Sequence, residues 1–225
     1  MDNLYYIGLR RRARVGESHQ ELHRRFIETM SRYDAPWGYK NHEMPIAPEF
    51  GKNLTSVVEL RALSGKDRKS YICYLFRSEQ YLKDKAQFDD HVIVEFQSKG
   101  VDTEVLFEKV FPAYIEAFDC YRATVASREI EMAGWDSIVE LCNKTGKDVN
   151  GRDGVYRINP ANFFDRELCR RAFGLTPEQI RKRLEGKVEK VSLLHDGVLI
   201  IYSSKLPSSR EEYEKIDSEL KTLLK

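Results

Sequence analysis

The amino-acid sequence predicts an α+β fold, with a mostly antiparallel sheet and helices packed on one side of it. Three observations lead to this prediction. Asp196-Gly197 separates two apolar runs, which is the strongest short-range signal of a β-hairpin. Ser18-x-x-Glu21 is a capping box ahead of a segment with helical apolar spacing. Short runs of β-forming residues follow one another in the middle of the chain. The prediction leaves open whether the molecule consists of two similar α/β halves.

Length and composition indicate one compact domain over residues 1–225, with halves at 1–143 and 154–225 joined by a polar loop as the alternative. Hydrophobic residues make up 41% and charged residues 32%, which is typical of a soluble globular protein. No apolar run reaches the length of a membrane span. The arginines near the N-terminus follow the apolar residues, the reverse of a secretory signal, so we expect a cytoplasmic protein without membrane association.

The first predicted strand covers residues 4–14 and places Tyr5, Ile7 and Leu9 on one face. Three arginines, Arg10 to Arg12, end the run of apolar residues. They would suit a nucleic-acid-binding arm, but no aromatic stacking platform accompanies them, so the end of an edge strand is favoured. A helix then runs from the Ser18 cap to about Tyr33, with its buried stripe at Leu22, Phe26, Ile27 and Met30.

Residues 34–53 form a long connection that contains three prolines and the aromatic residues Trp37, Tyr39 and Phe50. Connections of this length in compact domains are often functional. Exposed Trp37 and Tyr39 would contact a partner, because these residue types anchor interfaces. The alternative, in which Trp37 and Phe50 fold back onto the core, is equally compatible with the sequence.

The middle of the chain alternates between strand and helix patterns. The predicted elements are strands at 55–63, 70–77 and 91–97, a helix from about 102 to 121, a strand at 122–130 and a helix at 133–143. Pro112 lies inside the longer helix and should kink it or divide it, because proline lacks the amide hydrogen that an inner turn needs.

The last third of the chain has the clearest local signals. A strand at 155–158 leads into the Asn159-Pro160 turn, and Asp165 and Gly174 suit the two ends of a short helix. Thr176-Pro177 starts a second helix. The hairpin follows, and its second strand, 198–202, is apolar on both faces, which predicts cover on both sides. A helix from Ser209 closes the chain.

The sequence contains no recognisable set of catalytic residues. Gly-rich phosphate loops, nucleophile elbows and dinucleotide fingerprints are all missing. His19 and His23 have helical i, i+4 spacing, but no third metal ligand is suggested, so two solvated histidines are the default. The four cysteines do not form Cys-x-x-Cys pairs, which favours isolated reduced thiols. We therefore predict no enzyme activity, no catalytic residues, no cofactor and no metal.

Four segments carry a resemblance to a known class of proteins: Asn159-Pro160-Ala161-Asn162-Phe163-Phe164-Asp165, Glu167-Leu168-Cys169-x-Arg171-Ala172-Phe173-Gly174, Val191-x-Leu193-Leu194-His195-Asp196-Gly197-Val198 and Phe111-Pro112-Ala113-Tyr114. Together they resemble bacterial immunity proteins of polymorphic-toxin and type VI secretion systems. The chain most resembles immunity proteins paired with restriction-endonuclease-like nuclease toxins. The resemblance implies an α+β protein of the cytoplasm that occludes a toxin's active site and carries no catalytic residues of its own.

Charge distribution suggests where such a toxin would bind. Residues 79–140 contain 6 basic and 14 acidic residues, whereas residues 1–78 contain 14 basic and 9 acidic ones. A nuclease holds its substrate with Lys and Arg, so an acidic inhibitor face gains affinity and association rate. The predicted partner-binding residues are Glu129, Glu131, Trp135, Asp136 and Glu140, with Trp37 and Tyr39.

Three alternatives to this interpretation remain open at the sequence level. The acidic residues could be a solvated surface divided among several elements, which is the more common case. An enzyme of unrecognised type would show a deep pocket with converging polar groups and shifted pKa values. A nucleic-acid-associated regulator using Arg10 to Arg14 would show a continuous basic face, although we expect no direct nucleic-acid partner.

Overall fold

The computed structural model describes residues 4–51 and 53–225, which contain one eight-stranded antiparallel sheet. Its strand order is β2-β3-β4-β1-β5-β6-β8-β7, so β2 and β7 are the edges. The predicted α+β class with an antiparallel sheet is confirmed. The strands are β1 (Leu4–Arg12), β2 (Thr55–Glu59), β3 (Tyr71–Leu75), β4 (Asp89–Gln97), β5 (Arg122–Ser127), β6 (Ala161–Phe164), β7 (Lys190–Leu194) and β8 (Gly197–Ile201).

The helices connect and cover these strands. They are α1 (His19–Met30), α2 (Thr103–Val105), α3 (Phe111–Phe118), α4 (Arg128–Ala133), α5 (Trp135–Thr145), α6 (Arg166–Phe173), α7 (Pro177–Leu184) and α8 (Arg210–Leu224). A π-helical segment, Leu106–Val110, joins α2 to α3, and short 3-10 turns occupy Arg61–Leu63 and Ala86–Phe88. No helix in residues 4–51 and 53–225 combines the length and apolar character that crossing a bilayer requires.

Strand β1 lies inside the sheet, hydrogen-bonded to β4 on one side and to β5 on the other. The expectation that its arginines end an edge strand is therefore wrong. Tyr5, Ile7 and Leu9 do share one face, as the alternation predicts, and all three are buried. Because the intervening positions face the opposite side, Tyr6, Gly8 and Arg10 lie together on the other face.

Helices pack on both faces of the sheet, which corrects the expectation of helices on one side. Alternate residues of β6 show the reason, since Phe163 belongs to the core under α1 and α3, and Phe164 belongs to a second core under α6, α7 and α8. Strand β8 is divided in the same way, and all five of its residues are buried. The predicted cover on both sides of that strand is confirmed.

The two predicted halves of the chain share the sheet. Strand β5 from the first half pairs with β6 from the second, with Arg122 opposite Phe164 and Val125 opposite Ala161. The strand predicted at 155–158 is wrong, because the extended pairing begins after Pro160 instead. Tertiary structure determines where this strand begins. Strand β6 pairs with β5 on one side and with β8 on the other, and the residues before Pro160 have no strand neighbours of this kind. A single domain over residues 1–225 stays a prediction.

The helix starts that the sequence predicts from capping residues agree with the structure. Ser18, Asp165, Thr176 and Ser209 each accept a hydrogen bond from a backbone amide in the first turn of the helix that follows. The long helix predicted across 102–121 is divided as expected, because the π-helical segment precedes Pro112 in the first turn of α3.

The β7–β8 hairpin is confirmed with its turn one residue earlier than predicted. Leu194 is opposite Gly197, so His195 and Asp196 are the two turn residues, and His195 has φ 49°. Gly197 is needed for a different reason. A Cβ atom there would lie 2.4 Å from the Phe164 carbonyl oxygen and 2.6 Å from the Phe163 ring.

Candidate functional site

Helices α4 and α5 present an exposed apolar and acidic face, here called the α4–α5 surface, defined by Met132, Trp135, Asp136, Val139 and Glu140. Trp135 is 61% exposed and Met132 is 66% exposed. Asp136 and Glu140 are also exposed, one turn apart on α5. Ile138 is the one fully buried residue of α5. Three of the predicted partner-binding residues therefore do lie together on an open surface.

Glu129 and Glu131, also predicted to contact a partner, are only partly exposed. Glu129 pairs with Arg210 of α8 at 3.7 Å. The Oε1 atom of Glu131 is buried without a hydrogen-bond partner in the described part of the chain. Burial raises the pKa of Glu131, and the nearby charge of Arg122 opposes that rise. Glu131 faces inward, so its assignment to the outer surface is corrected.

Trp37 and Tyr39 are buried, at 5% and 3% exposure, so they cannot contact a partner in this structure. The Trp37 ring packs edge-on against Phe96 at 4.8 Å between centroids, and the Tyr114 hydroxyl donates to the Trp37 carbonyl. The alternative that this connection folds back onto the core is the correct one. Two large aromatic rings remove more apolar area from water in the core than on the surface.

The histidine pair on α1 explains how the connection is held. His23 Nε2 lies 2.8 Å from the Pro45 carbonyl oxygen, and His19 Nε2 lies 3.0 Å from that of Pro48. His23 Nδ1 is also 3.0 Å from the Tyr74 hydroxyl. The i, i+4 spacing thus anchors a loop. No cluster of three or more metal-ligating side chains occurs in residues 4–51 and 53–225.

A wide groove of about 1510 Å³ lies between α5 and the polar face of the sheet. Strands β1, β4 and β5 form its floor. Trp135, Ile138 and Val139 line it from α5; Ile138 is buried, whereas Trp135 and Val139 are exposed. The groove could not be predicted from the sequence, because it depends on which strands are neighbours in the sheet.

The floor of the groove carries Arg10, His91 and Arg122, together with Glu95, which is opposite Tyr6 and pairs with Arg128 at 3.4 Å. Arg10 is directly opposite His91 on β4 and Arg122 on β5. Arg122 is buried and donates to the carbonyl oxygen and side-chain oxygen of Asn150 at 2.6 and 2.7 Å. Among the described residues it has no carboxylate within 4.0 Å, and Arg10 has only Asp89, at 3.8 Å. Burial and the adjacent Arg10 lower the pKa of Arg122.

Tyr6 lies on the same floor, and Gly8 makes room for it. A Cβ atom at Gly8 would be 2.7 Å from the Cε2 atom of Tyr6, so the phenol ring lies across the glycine. Burial raises the pKa of the Tyr6 hydroxyl, with the charge of Glu131 adding to the effect and those of Arg122 and Arg10 opposing it. The Tyr6 hydroxyl therefore interacts electrostatically with Arg10, Arg122 and Glu131.

The other two arginines of the run are used internally. Arg11 pairs with Glu17, and with Asp90 and Asp119 at 3.5 Å each. The guanidinium of Arg12 pairs with Asp165 and Glu167 and stacks 4.2 Å from the centre of the Tyr121 ring. The basic run at the end of β1 is thus not a continuous basic face.

The acidic central segment is likewise partly internal. Asp89 and Asp90 are buried, and each is bound by arginine, Asp89 by Arg152 at 2.7 Å and Asp90 by Arg77. The expectation of a divided acidic population is correct for these two residues. The acidic side chains that remain open to a partner include Asp136 and Glu140.

Comparison with known proteins gives a structural similarity only. No protein-family model and no curated protein matches the chain. Among solved structures, a Pseudomonas aeruginosa T6SS (type VI secretion system) protein is similar, with a TM-score of 0.54 and 10% sequence identity. The superposition covers 98% of this chain and 72% of the other. At this level of identity the similarity describes the fold.

Proposed function

We propose that this protein is an immunity protein that binds a type VI secretion toxin through the α4–α5 surface and blocks the toxin's active site. The observation that carries the proposal is the exposure of Trp135 between Asp136 and the apolar side chains of Met132 and Val139. Large exposed apolar residues bordered by charges are typical of protein interfaces. Tryptophan is also the residue type most enriched among interface hot spots.

The charge of this surface suggests the chemistry of the toxin. Asp136 and Glu140 flank the apolar stripe and are exposed. A nuclease domain presents Lys and Arg where it holds a phosphate backbone, and an acidic inhibitor face is complementary to that surface. A basic nuclease domain is therefore the partner we propose. Because such a toxin attacks nucleic acid inside the cell, we place the immunity protein in the cytoplasm.

Two further lines of support come from comparison. The resemblance of several sequence segments to immunity proteins is independent of the surface argument. The similar fold of a Pseudomonas aeruginosa T6SS protein supports an association with the same kind of secretion system. Neither specifies a toxin, so the surface chemistry decides which partner we propose.

Catalysis in the groove is the competing function, since a groove with Glu131 of raised pKa matches one expectation for an enzyme. The groove residues of the described chain include no cysteine or serine hydrogen-bonded to a histidine or carboxylate. Cys142 lines the groove, but Tyr6, His91 and Glu131 are not joined to it by a hydrogen bond. This arrangement favours binding over covalent catalysis.

The test is protection of a bacterial host that expresses a candidate nuclease effector of a type VI secretion system, chosen by sequencing the genes around this one. We expect co-expression of this protein to restore growth and the purified pair to form a complex. Trp135→Ala should weaken that complex by about 30-fold, the loss typical of a hot-spot residue. Asp136→Lys with Glu140→Lys should weaken it by about tenfold and slow association most at low salt. Affinity is measured by titration calorimetry and growth by plating.

A matched control keeps the change in net charge constant. Glu43→Lys with Glu104→Lys reverses two exposed charges outside α4 and α5. Those two substitutions should leave protection and affinity unchanged. Equal losses in the two double variants would contradict the assignment of the site. Failure of the wild-type protein to protect the host would contradict the proposed function itself.

A further inference from the structure

We infer that the groove between α5 and the sheet binds a small amphipathic carboxylate, with its carboxylate on Arg10, Arg122 and Tyr6 and its apolar body along α5. This inference does not rest on the proposed function. It concerns the floor of the sheet and the inner side of α5, in a groove that Met132, Trp135, Asp136 and Val139 of the α4–α5 surface also line. The ligand class follows from the charges and the apolar surface that meet in the groove.

The first step is the unbalanced charge of the floor. Arg10 and Arg122 are direct cross-strand neighbours, and like charges in that position destabilise a sheet. The Arg122 guanidinium is bound by the neutral oxygens of Asn150, and Arg10 reaches only Asp89 at 3.8 Å. Asp89 is itself held more closely by Arg152, at 2.7 Å. An anion placed between the two guanidiniums would remove the repulsion.

A ligand must also be able to reach the arginines from solvent. Arg10 lines the groove and its side chain is 41% exposed, so an incoming group can reach it. Tyr6 brings a hydroxyl that interacts electrostatically with both arginines, and its ring has its position because residue 8 has no side chain. Two guanidiniums and a hydroxyl are hydrogen-bond donors suited to carboxylate oxygens.

The third step is the neighbouring acid. Glu131 would repel an anion if it were ionised, but burial raises its pKa, an effect that Arg122, Arg157, Arg10 and the Asn159 side chain oppose. Its Oε1 atom is buried with no partner in the described residues, so the carboxyl group has capacity for a further hydrogen bond. In its neutral form a carboxyl group is a hydrogen-bond donor, which is compatible with a ligand carboxylate nearby.

The fourth step is the apolar wall. Trp135, Ile138 and Val139 follow helical i, i+3, i+4 spacing and line the groove from α5. This stripe would ordinarily pack against another element, yet Trp135 is 61% exposed and Val139 is 39% exposed. An aliphatic or aromatic body lying along the stripe would remove that surface from water.

The total charge of the lining selects against a polyanion. Six basic and six acidic residues line the groove, so its formal charge is balanced even though its floor is basic. Nucleic acid needs a continuous basic track for its backbone. A single carboxylate with an apolar tail fits both the local pair of arginines and the overall neutrality.

The test titrates the full chain with octanoate and follows tryptophan fluorescence. The protein contains two tryptophans. Trp37 is buried in the core on the other face of the sheet, so a change on titration reports Trp135. We expect saturable binding of octanoate and at least about tenfold weaker binding of 1-octanol, because the alcohol lacks the charge that the arginines hold. Inorganic phosphate should not displace octanoate.

Two substitutions test the floor of the groove without removing a core contact. Arg10→Gln should weaken octanoate binding by about tenfold or more, and Tyr6→Phe, which deletes one hydroxyl, by a smaller factor. Arg24→Gln is the matched control, because it removes the same charge from an exposed position on α1. Circular dichroism spectra that superimpose on the wild type would establish that each variant is folded.

Three outcomes would overturn the inference. They are no saturable octanoate binding by the wild type, equal affinity for octanoate and 1-octanol, and equal losses in Arg10→Gln and Arg24→Gln. These outcomes can be told apart from a failure of the proposed function, because toxin binding is measured with a different partner and different variants. Displacement of octanoate by phosphate would replace the carboxylate with a phosphoryl ligand and would also reject the class proposed here.

Discussion

At the scale of single residues, neighbours in the fold decide what a charged side chain does. Arg10, Arg11 and Arg12 are consecutive, yet Arg11 and Arg12 are held in ion pairs with Asp90 and Asp165, and Arg10 faces the groove. Residues alternate between the two faces of a strand, so Arg10 and Arg11 lie on opposite faces. Arg10 and Arg12 share a face, but Arg12 pairs with Asp165, whereas Arg10 faces the groove. The sequence identifies the basic run, but the partners of each arginine come from distant segments and could not be predicted.

The buried His23 provides a prediction about pH. Burial lowers the pKa of His23 from its ordinary value, and the hydrogen bond to the Pro45 carbonyl only partly opposes this. The folded state therefore binds fewer protons than the unfolded state as the pH falls below about 6.5. We expect the free energy of unfolding to decrease with decreasing pH from that point. Urea unfolding at a series of pH values measures it.

His23→Gln is the variant that isolates this effect, since glutamine does not titrate and can also hydrogen-bond to the Pro45 carbonyl. We expect it to be less stable at pH 8 by about 1 kcal/mol and to show a shallower dependence on pH. Some dependence should remain, because the pKa of His91 is also lowered by burial and by Arg10. An unchanged slope in the variant would contradict this account of His23.

At the scale of elements, short-range signals could be predicted and long-range pairing could not. The caps of α1, α6, α7 and α8 were predictable because each depends on a side chain within three residues of the amide it binds. Strand β6 was misplaced because its position depends on β5 and β8, which lie far away in the sequence. Helix α5 was predicted at 133–143 and lies at Trp135–Thr145, and the exposure that a partner-binding Trp135 requires is present.

The β7–β8 hairpin offers a test at this scale. Gly197→Ala should lower the free energy of unfolding by about 1–3 kcal/mol, because the new methyl group would overlap the Phe164 carbonyl and the Phe163 ring. Gly51→Ala is the control, since no atom lies within 4 Å of a Cβ at that position. Its effect should stay within about 0.5 kcal/mol. Equal stability of the two variants in urea would show that the close approach at Gly197 has no energetic cost.

At the scale of the whole molecule, strand pairing and the ion pairs Arg12–Asp165 and Arg171–Asp84 join the two predicted halves, and the loop between them is also held. Arg152, from the loop between α5 and β6, bonds Asp89 of β4 at 2.7 Å and Asp84 at 3.0 Å. The groove is a product of this same arrangement, since its floor needs β4, β1 and β5 to be adjacent. The α+β class could be predicted from sequence, whereas the groove could not, because a one-residue shift in register would move Arg10 to the opposite face.

The shared sheet and these ion pairs predict that the two halves unfold together. We expect tryptophan fluorescence, which reports Trp37 and Trp135 of the first half, to coincide with far-UV circular dichroism in one urea transition. Arg152→Ala should lower stability by about 3 kcal/mol, because Asp89 is buried and would lose its closest countercharge. The transition should remain single. Two separated transitions would contradict the predicted single domain.

Arg166→Ala is the matched control for that experiment. Arg166 pairs with Glu178 at the surface, where both side chains are about half exposed. Exposed pairs are screened by solvent and contribute little, so the expected loss of stability is much smaller than that of Arg152→Ala. Similar losses in both variants would mean that burial of the Arg152–Asp89 pair does not decide its importance.

The position of Trp135 has a consequence for regulation. Its indole belongs to the α4–α5 surface and also lines the groove. If toxin and carboxylate each cover that ring, the two ligands are thermodynamically linked, and each must reduce the other's affinity by the same factor. The concentration of the carboxylate in the cell would then determine what fraction of the immunity protein is free to bind toxin.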